Sequence, residues 1–201
     1  MKKIIGFLKK SVLLENPVLS LFAGVTPLLA VSTRLIDGVT LGICAIFCIT
    51  LSSLLFWALR KTISNKLRDV VYIIIVAVSV SLCEILLSAF LPTIYKNLGM
   101  YLPLLAVSGL VFSRSKKFSR EEKLGSCLLE GLSCGIGYFA LSLAMSLVRE
   151  FFGRGTVAGF SVIPEKYAIS LLVGPVGGFM LLGILIAVTR KMFENKSKGE
   201  E

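Results

Sequence analysis

The chain has 201 residues, of which 55% are hydrophobic, with a mean hydropathy of +0.86 and a formal net charge of +10. Ordinary soluble domains are about 45–50% apolar, so this composition excludes a soluble globular protein and indicates an integral membrane protein. In a membrane protein the positions of the basic residues indicate the orientation of the chain in the membrane. We therefore attribute the positive charge to membrane orientation and expect no nucleic-acid partner.

Residues 1–10 carry four lysines but no long apolar core, which predicts a basic interfacial segment and not a removed signal peptide. Charged residues then divide the chain into six apolar stretches, at about 16–33, 38–59, 70–95, 97–113, 124–148 and 167–189. A helix needs about 20 apolar residues to cross a bilayer. We therefore expect one all-α membrane domain over residues 1–201, with six transmembrane helices and a tail at 192–201.

Most of the 22 Lys and Arg residues lie at the amino terminus, in the second and fourth loops and in the tail. By the positive-inside rule this places both termini in the cytoplasm of a multi-pass protein of the cell (inner) membrane. The basic run at 114–123 is typical of a solvated loop near anionic lipid, with a docking surface for a soluble redox subunit as the alternative. Between the third and fourth stretches, FLPTIYKNLGMY predicts a tight turn led by proline.

The hexapeptide PLLAVS occurs at 27–32 and again at 103–108, in the first and fourth stretches, which are also the shortest. Proline and glycine disrupt helices, so we expect both spans to be broken, at Gly24, Pro27, Pro103 and Gly109. Irregular backbone at membrane depth is tolerated only against protein or a water-filled cavity, which predicts an interior site. The alternative is a chance identity in which the prolines only kink their helices.

Each half contains three apolar stretches, so the second half would cross the membrane in the opposite sense to the first. This predicts two inverted three-helix repeats, at about 11–96 and 97–191, whose broken spans meet near the midplane. Small residues at Gly131 and Gly135, and at Gly174 and Gly178, have the spacing that allows helices to approach closely.

Two intramembrane carboxylates, Glu84 and Glu130, are candidate ion-path residues, because an ionisable group inside a membrane is a functional candidate by default. For Glu84 a side chain that reaches the interface or pairs with a neighbour is an equal alternative. At the end of the fifth stretch, Arg149 and Glu150 are interpreted as anchors of an end turn. We identify no catalytic residue, and the chain alone does not resemble an enzyme.

The five cysteines all lie in or beside apolar stretches, and their favoured interpretation is as buried small hydrophobic side chains. Cys44 and Cys48 share one helix face, which would suit a soft metal, but two thiolates alone do not complete a site. We therefore assign no metal site to this chain.

Five further segments are informative together: ENPVLSLFAGVTPLLAVST, LGMYLPLLAVSGLVFSR, LLEGLSCGIGYFALSL, LVREFFGRG and LLVGPVGGFMLLGILIA. In this order they resemble the Rnf/Nqr family of paired membrane subunits (NqrD, NqrE, RnfA and RnfE), and the cytoplasmic amino terminus favours the RnfE/NqrD type. The resemblance implies a subunit of a complex that couples electron transfer from ferredoxin or NADH to Na⁺ or H⁺ translocation. It also implies two kinds of partner, an inverted homologous subunit and further redox subunits.

The resemblance further implies a [2Fe–2S] cluster held between the paired subunits by cysteines of the broken spans. The family's ligand positions fall here at Thr26 and Gly109, and the chain has no histidine. Threonine and glycine cannot replace thiolate ligands, so we predict no cofactor for this chain. Two alternatives remain open: a transporter or channel without a redox partner, and a non-catalytic paralogue that assists assembly.

Overall fold

A computed structural model describes residues 24–59, 62–64, 67–107, 124–157, 160–161, 164 and 169–197. Within them the chain is mostly helical. The α-helices are α1 (Val25–Val31), α2 (Leu35–Leu59), α3 (Arg68–Phe90), α4 (Pro92–Leu98), α5 (Pro103–Val107), α6 (Leu124–Arg154) and α7 (Pro175–Ser197). A 3-10 helix (Ser170–Leu172) precedes α7, and two short strands, β1 (Thr156–Val157) and β2 (Phe160–Ser161), follow α6. Residues 1–10, Gly109 and the loop at 114–123 lie outside the described residues.

Among the described residues, three helices are long and apolar enough to cross a membrane: α2, α3 and α6. In α7 the apolar part, Pro175–Val188, is shorter. Large apolar side chains of α3, including Ile74 and Ile85, are exposed by 57% and 65%. Such an outward apolar face is what lipid requires, so the coarse prediction of a helical membrane protein is confirmed.

The two strands form a small antiparallel hairpin that an all-α prediction did not include. Thr156 pairs with Ser161 and Val157 with Phe160. Gly155 ends α6 with a φ of 67°, a conformation that glycine adopts at little cost and that turns the chain out of the helix. The described part of the chain is therefore mainly helical, with one antiparallel pair of two-residue strands.

Three predicted boundaries differ in the structure. The third helix ends at Phe90, and not near residue 95, because Leu91 precedes a proline and such a residue disfavours helical backbone. The segment predicted as a tight turn contains α4, which begins at Pro92, since proline is well suited to the first helical position. Likewise α7 runs to Ser197, into the segment predicted as a tail.

The centre of the molecule is the packing of α2 against α6, which glycines bring close together. A Cβ added at Gly135 would lie 2.7 Å from the Cα of Ile46, and one at Gly131 would lie 2.7 Å from Ser53 Oγ. The hydroxyl of Ser142 on α6 donates a hydrogen bond of 2.7 Å to the carbonyl oxygen of Gly38 on α2. The predicted close approach at Gly131 and Gly135 is thus confirmed.

Candidate functional site

The first five residues of each hexapeptide, PLLAV, lie in the short helices α1 and α5, and these two helices contact each other. Leu28 of the first copy is fully buried, and Leu105 and Ala106 of the second are nearly so. By contrast Thr26 and Val107 are exposed. We call this contact between α1 and α5 the junction.

Both prolines lie in the first turn of a described helix. Pro27 lies in the first turn of α1, and Pro103 is the first residue of α5. The amide groups of a first helical turn have no partner within the helix, so proline is tolerated there. Before each proline the described backbone is not regular helix: Gly24 has a φ of 79°, and residues 99–102 form a turn.

The long helix α6 holds both ends of α1. At the start, the buried hydroxyl of Tyr138 donates a hydrogen bond of 3.4 Å to the carbonyl oxygen of Gly24. At the end, Nη1 of Arg149 donates to the carbonyl oxygen of Leu29 and to Oγ of Ser32, each at 2.7 Å. The position of the first hexapeptide is thus set by side chains more than 100 residues away in sequence.

Arg149 also binds a second segment. Its Nε donates to the carbonyl oxygen of Leu172 at 3.0 Å, and its Nη2 donates to those of Val173 at 2.7 Å and Gly174 at 3.2 Å. The side chain is 2% exposed, so these five bonds form away from solvent. A guanidinium carries five N–H donors, which matches the five acceptors found here.

The absence of a side chain at Gly178 leaves space for the guanidinium of Arg149. A Cβ added at Gly178 on α7 would lie 3.4 Å from Cζ of Arg149 and 3.1 Å from Cδ2 of Leu29. The predicted close approach at Gly178 therefore brings α7 against both the hexapeptide and the guanidinium.

Glu150, the next residue along α6, binds the start of α2. One carboxylate oxygen accepts a hydrogen bond from the backbone N–H of Leu35, and the other accepts one of 3.2 Å from the hydroxyl of Thr156. A carboxylate at a helix amino terminus is favoured by the helix dipole and satisfies an amide that the helix leaves unpaired. The buried Asp37, in the same first turn of α2, lies within electrostatic reach of Arg34, Glu150 and Arg154.

Arg149 and Glu150 therefore anchor turns, as expected from the sequence, but the turns belong to distant parts of the chain. One residue binds the end of α1, the other binds the start of α2, and together they bracket the connection at 32–34. Their partners were not predicted. The sequence shows a charged pair beside an apolar stretch. Such a pair indicates a functional candidate, but it does not predict which residues the pair contacts.

The candidate ion-path residues lie elsewhere. Glu130 is buried on α6, and 19 residues at 1.5 Å each separate it from Arg149 by about 28 Å along the helix. Glu84 is half-buried on α3 and lies near Cys48 of α2. The roles of both carboxylates remain predictions.

Three of the buried cysteines lie together where α2 meets α3. The thiols of Cys44 and Cys48 both interact with that of Cys83, and Cys48 Sγ also contacts the carbonyl oxygen of Ser79 at 3.7 Å. In the part of the chain that the structure describes, no group of three or more His, Cys, Asp or Glu is arranged to hold a metal ion. Cys44, Cys48 and Cys83 are buried free thiols that pack against one another between α2 and α3.

The donor set at the junction does not fit an iron–sulfur cluster. Thr26, at the position where the family resemblance would require a ligand, presents a hydroxyl on the exposed side of α1, and cluster iron needs thiolate or imidazole.

Comparison with known proteins identifies the family of the chain. A family model for "Rnf-Nqr subunit, membrane protein" matches residues 4–186. The chain belongs to the Rnf-Nqr family. The junction, with Arg149 and Glu150 beside it, thus lies within the matched part of a family member.

Similar proteins cover nearly the whole chain. It is 31% identical to the E subunit of the proton-translocating ferredoxin:NAD(+) oxidoreductase complex of Clostridium ljungdahlii, over 98% of this chain and 93% of that protein. It is 28% identical to the E subunit of the Na(+)-translocating ferredoxin:NAD(+) oxidoreductase complex of Acetobacterium woodii, over 90% of this chain and 93% of the relative. It is also 30% identical to the D subunit of the Na(+)-translocating NADH-quinone reductase of Chlamydia trachomatis, over 98% of both.

Proposed function

We propose that this chain is an E- or D-type membrane component of an Rnf/Nqr-type complex, which couples electron transfer from ferredoxin or NADH to Na⁺ or H⁺ translocation. The observation that carries the proposal is similarity over almost the full length to the E and D subunits of such complexes. The chain would act in this complex and not as an enzyme alone.

In this proposal the chain has six spans in two inverted repeats, with both termini in the cytoplasm. The distribution of Lys and Arg supports the orientation. The contact between α1 and α5, which carry the two copies of PLLAVS, supports the repeat, because inverted repeats bring their broken helices together. An inverted homologous subunit would cover the exposed side of the junction, where irregular backbone needs a protein or water contact.

Within the complex, we place ion translocation in this chain along Glu84 and Glu130. Glu130 supports this role best, because a carboxylate that is 6% exposed on a membrane-length helix is costly to keep without a function. In this proposal the junction supplies the irregular backbone that inverted-repeat proteins use near the membrane midplane.

A second function is favoured by one observation, the exposed hydroxyl at Thr26. A protein of this fold without cluster ligands suits a transporter or channel that works without a redox partner, or a paralogue that assists assembly. Flux of Na⁺ or H⁺ into liposomes holding this chain alone, without an electron donor, would favour the transporter. Liposomes that remain tight would argue against it.

The main proposal is tested by purifying the tagged chain from its native membranes with a mild detergent. We expect flavin- and iron–sulfur-containing subunits to co-purify. We also expect donor-driven ion uptake into inverted membrane vesicles to disappear when the gene is deleted and to return with a plasmid copy. A chain that purifies without redox subunits would overturn the proposal.

A further inference from the structure

The buried guanidinium of Arg149 has no part in the proposed ion path. It lies near the end of a membrane-length helix, is 2% exposed and makes five hydrogen bonds, four of them to backbone carbonyl oxygens. Intramembrane arginines are rare because burial of the charge is expensive. Such a residue is retained where its charge or its donor geometry is needed.

The acceptors of Arg149 belong to two separate segments. Leu29 and Ser32 belong to the first hexapeptide. Leu172 is the last residue of the 3-10 helix, and Val173 and Gly174 connect it to α7. Carbonyls at the end of a helix have no partner within it and carry partial negative charge. Arg149 satisfies such carbonyls in both segments at once, so neither segment can shift without breaking bonds to the same side chain.

A lysine could not replace this arrangement. Its ammonium has three donors at one point, whereas the guanidinium presents five donors in a rigid plane that reaches acceptors on opposite sides. The bonds of Nη1 go to the α1 side and those of Nε and Nη2 go to the α7 side. Planar geometry, and not charge alone, joins the two segments.

We infer that Arg149 is a positioning residue for ion coupling, which fixes the end of α1 to the entry of α7 so that the junction keeps one conformation during turnover. The inference rests on the proposed function. Glu150 assists by holding the start of α2 from the same helix. Without Arg149, the irregular backbone on both sides would lose its shared partner, and electron transfer would continue with less ion movement per electron.

The test compares Arg149→Gln and Arg149→Lys with Arg154→Gln, which removes a charge from the same end of α6. Each complex is purified and reconstituted into liposomes, and the ions moved per electron are measured on assembled complexes only. We expect Arg149→Gln to lower this ratio at least about fivefold, in line with the loss of several buried hydrogen bonds. We expect a smaller decrease for Arg149→Lys and the wild-type ratio for Arg154→Gln.

A purely structural role would reduce the yield of complex without changing the ratio. A wild-type ratio in assembled Arg149→Gln, or in Arg149→Lys if only that variant assembles, overturns the inference. As an independent measurement, ethylguanidinium added to Arg149→Ala should restore part of the ratio and should leave wild type unchanged. If wild type itself moves no ions, the proposed function fails, and the result is distinct from a failure of this inference.

Discussion

The guanidinium of Arg149 reaches the carbonyl oxygen of Leu29 at 2.7 Å across 120 residues of sequence. This bond joins the helix that ends near residue 154 to the first copy of the repeated hexapeptide. Because the neighbouring Glu150 binds the amide of Leu35, both sides of the connection between α1 and α2 are fixed by two consecutive residues. The junction is therefore positioned by α6 and not only by its own sequence.

Enlarging Gly178 should destabilise the protein, because its missing side chain leaves space for Leu29 and Arg149. A Cβ there would lie 3.1 Å from Leu29 Cδ2 and 3.4 Å from Arg149 Cζ. We expect Gly178→Leu to cost about 1–3 kcal/mol, the usual range for overpacking. Thermal unfolding in detergent measures this, with Gly183→Leu as the control, since a Cβ at Gly183 meets nothing within 4 Å. Equal melting temperatures for the two variants would contradict the packing described.

Replacing Glu150 should separate its role as a hydrogen-bond acceptor from its charge. Glu150→Gln keeps an oxygen that can accept the bond from Leu35 N–H, whereas Glu150→Ala leaves that amide and the Thr156 hydroxyl without it. We expect the alanine variant to lose about 1 kcal/mol or more, as for the loss of a helix cap, and the glutamine variant to lose less. Unfolding midpoints compare the two. A glutamine variant as unstable as the alanine variant would assign the effect to charge.

The sequence was sufficient to predict the membrane class, the approximate positions of α2, α3 and α6, and the close packing at Gly131 and Gly135. These features depend on composition and on local spacing. The effect of the prolines was predicted less well, because a proline interrupts a helix interior but suits a first turn, and the sequence did not show where α1 and α5 begin. Most partners of Arg149 could not be predicted, since they are backbone carbonyls, which every residue carries whatever its side chain.

The α2–α6 packing should tolerate no side chain at Gly135. An added Cβ would lie 2.7 Å from a backbone atom, the Cα of Ile46, so relief requires the helices to separate. We expect Gly135→Ala to cost about 1–3 kcal/mol despite the better helix propensity of alanine. Gly125→Ala on the same helix meets nothing within 4 Å and should be neutral or slightly stabilising. A stabilised Gly135→Ala would show that the helices lie farther apart.

The last prediction concerns Gly24 and Pro27, which were both expected to break the first span. Gly24 has a φ of 79°, a conformation that costs about 1–2 kcal/mol for a residue with a Cβ, so Gly24→Ala should be destabilising. Pro27 lies in the first turn of α1, where its missing N–H costs nothing, so Pro27→Ala should lose only about 0.4–1 kcal/mol through the unfolded state.

Pro103→Ala provides the matched comparison, because Pro103 begins α5 as the first residue of the second copy. Its effect should resemble that of Pro27→Ala and be smaller than that of Gly24→Ala when the three unfolding midpoints are compared. The opposite order, with the proline variants the more damaging, would mean that the prolines themselves impose the interruption. The order expected here instead assigns the departure from helical backbone to the residues before each hexapeptide, so that PLLAV lies within a helix in both halves.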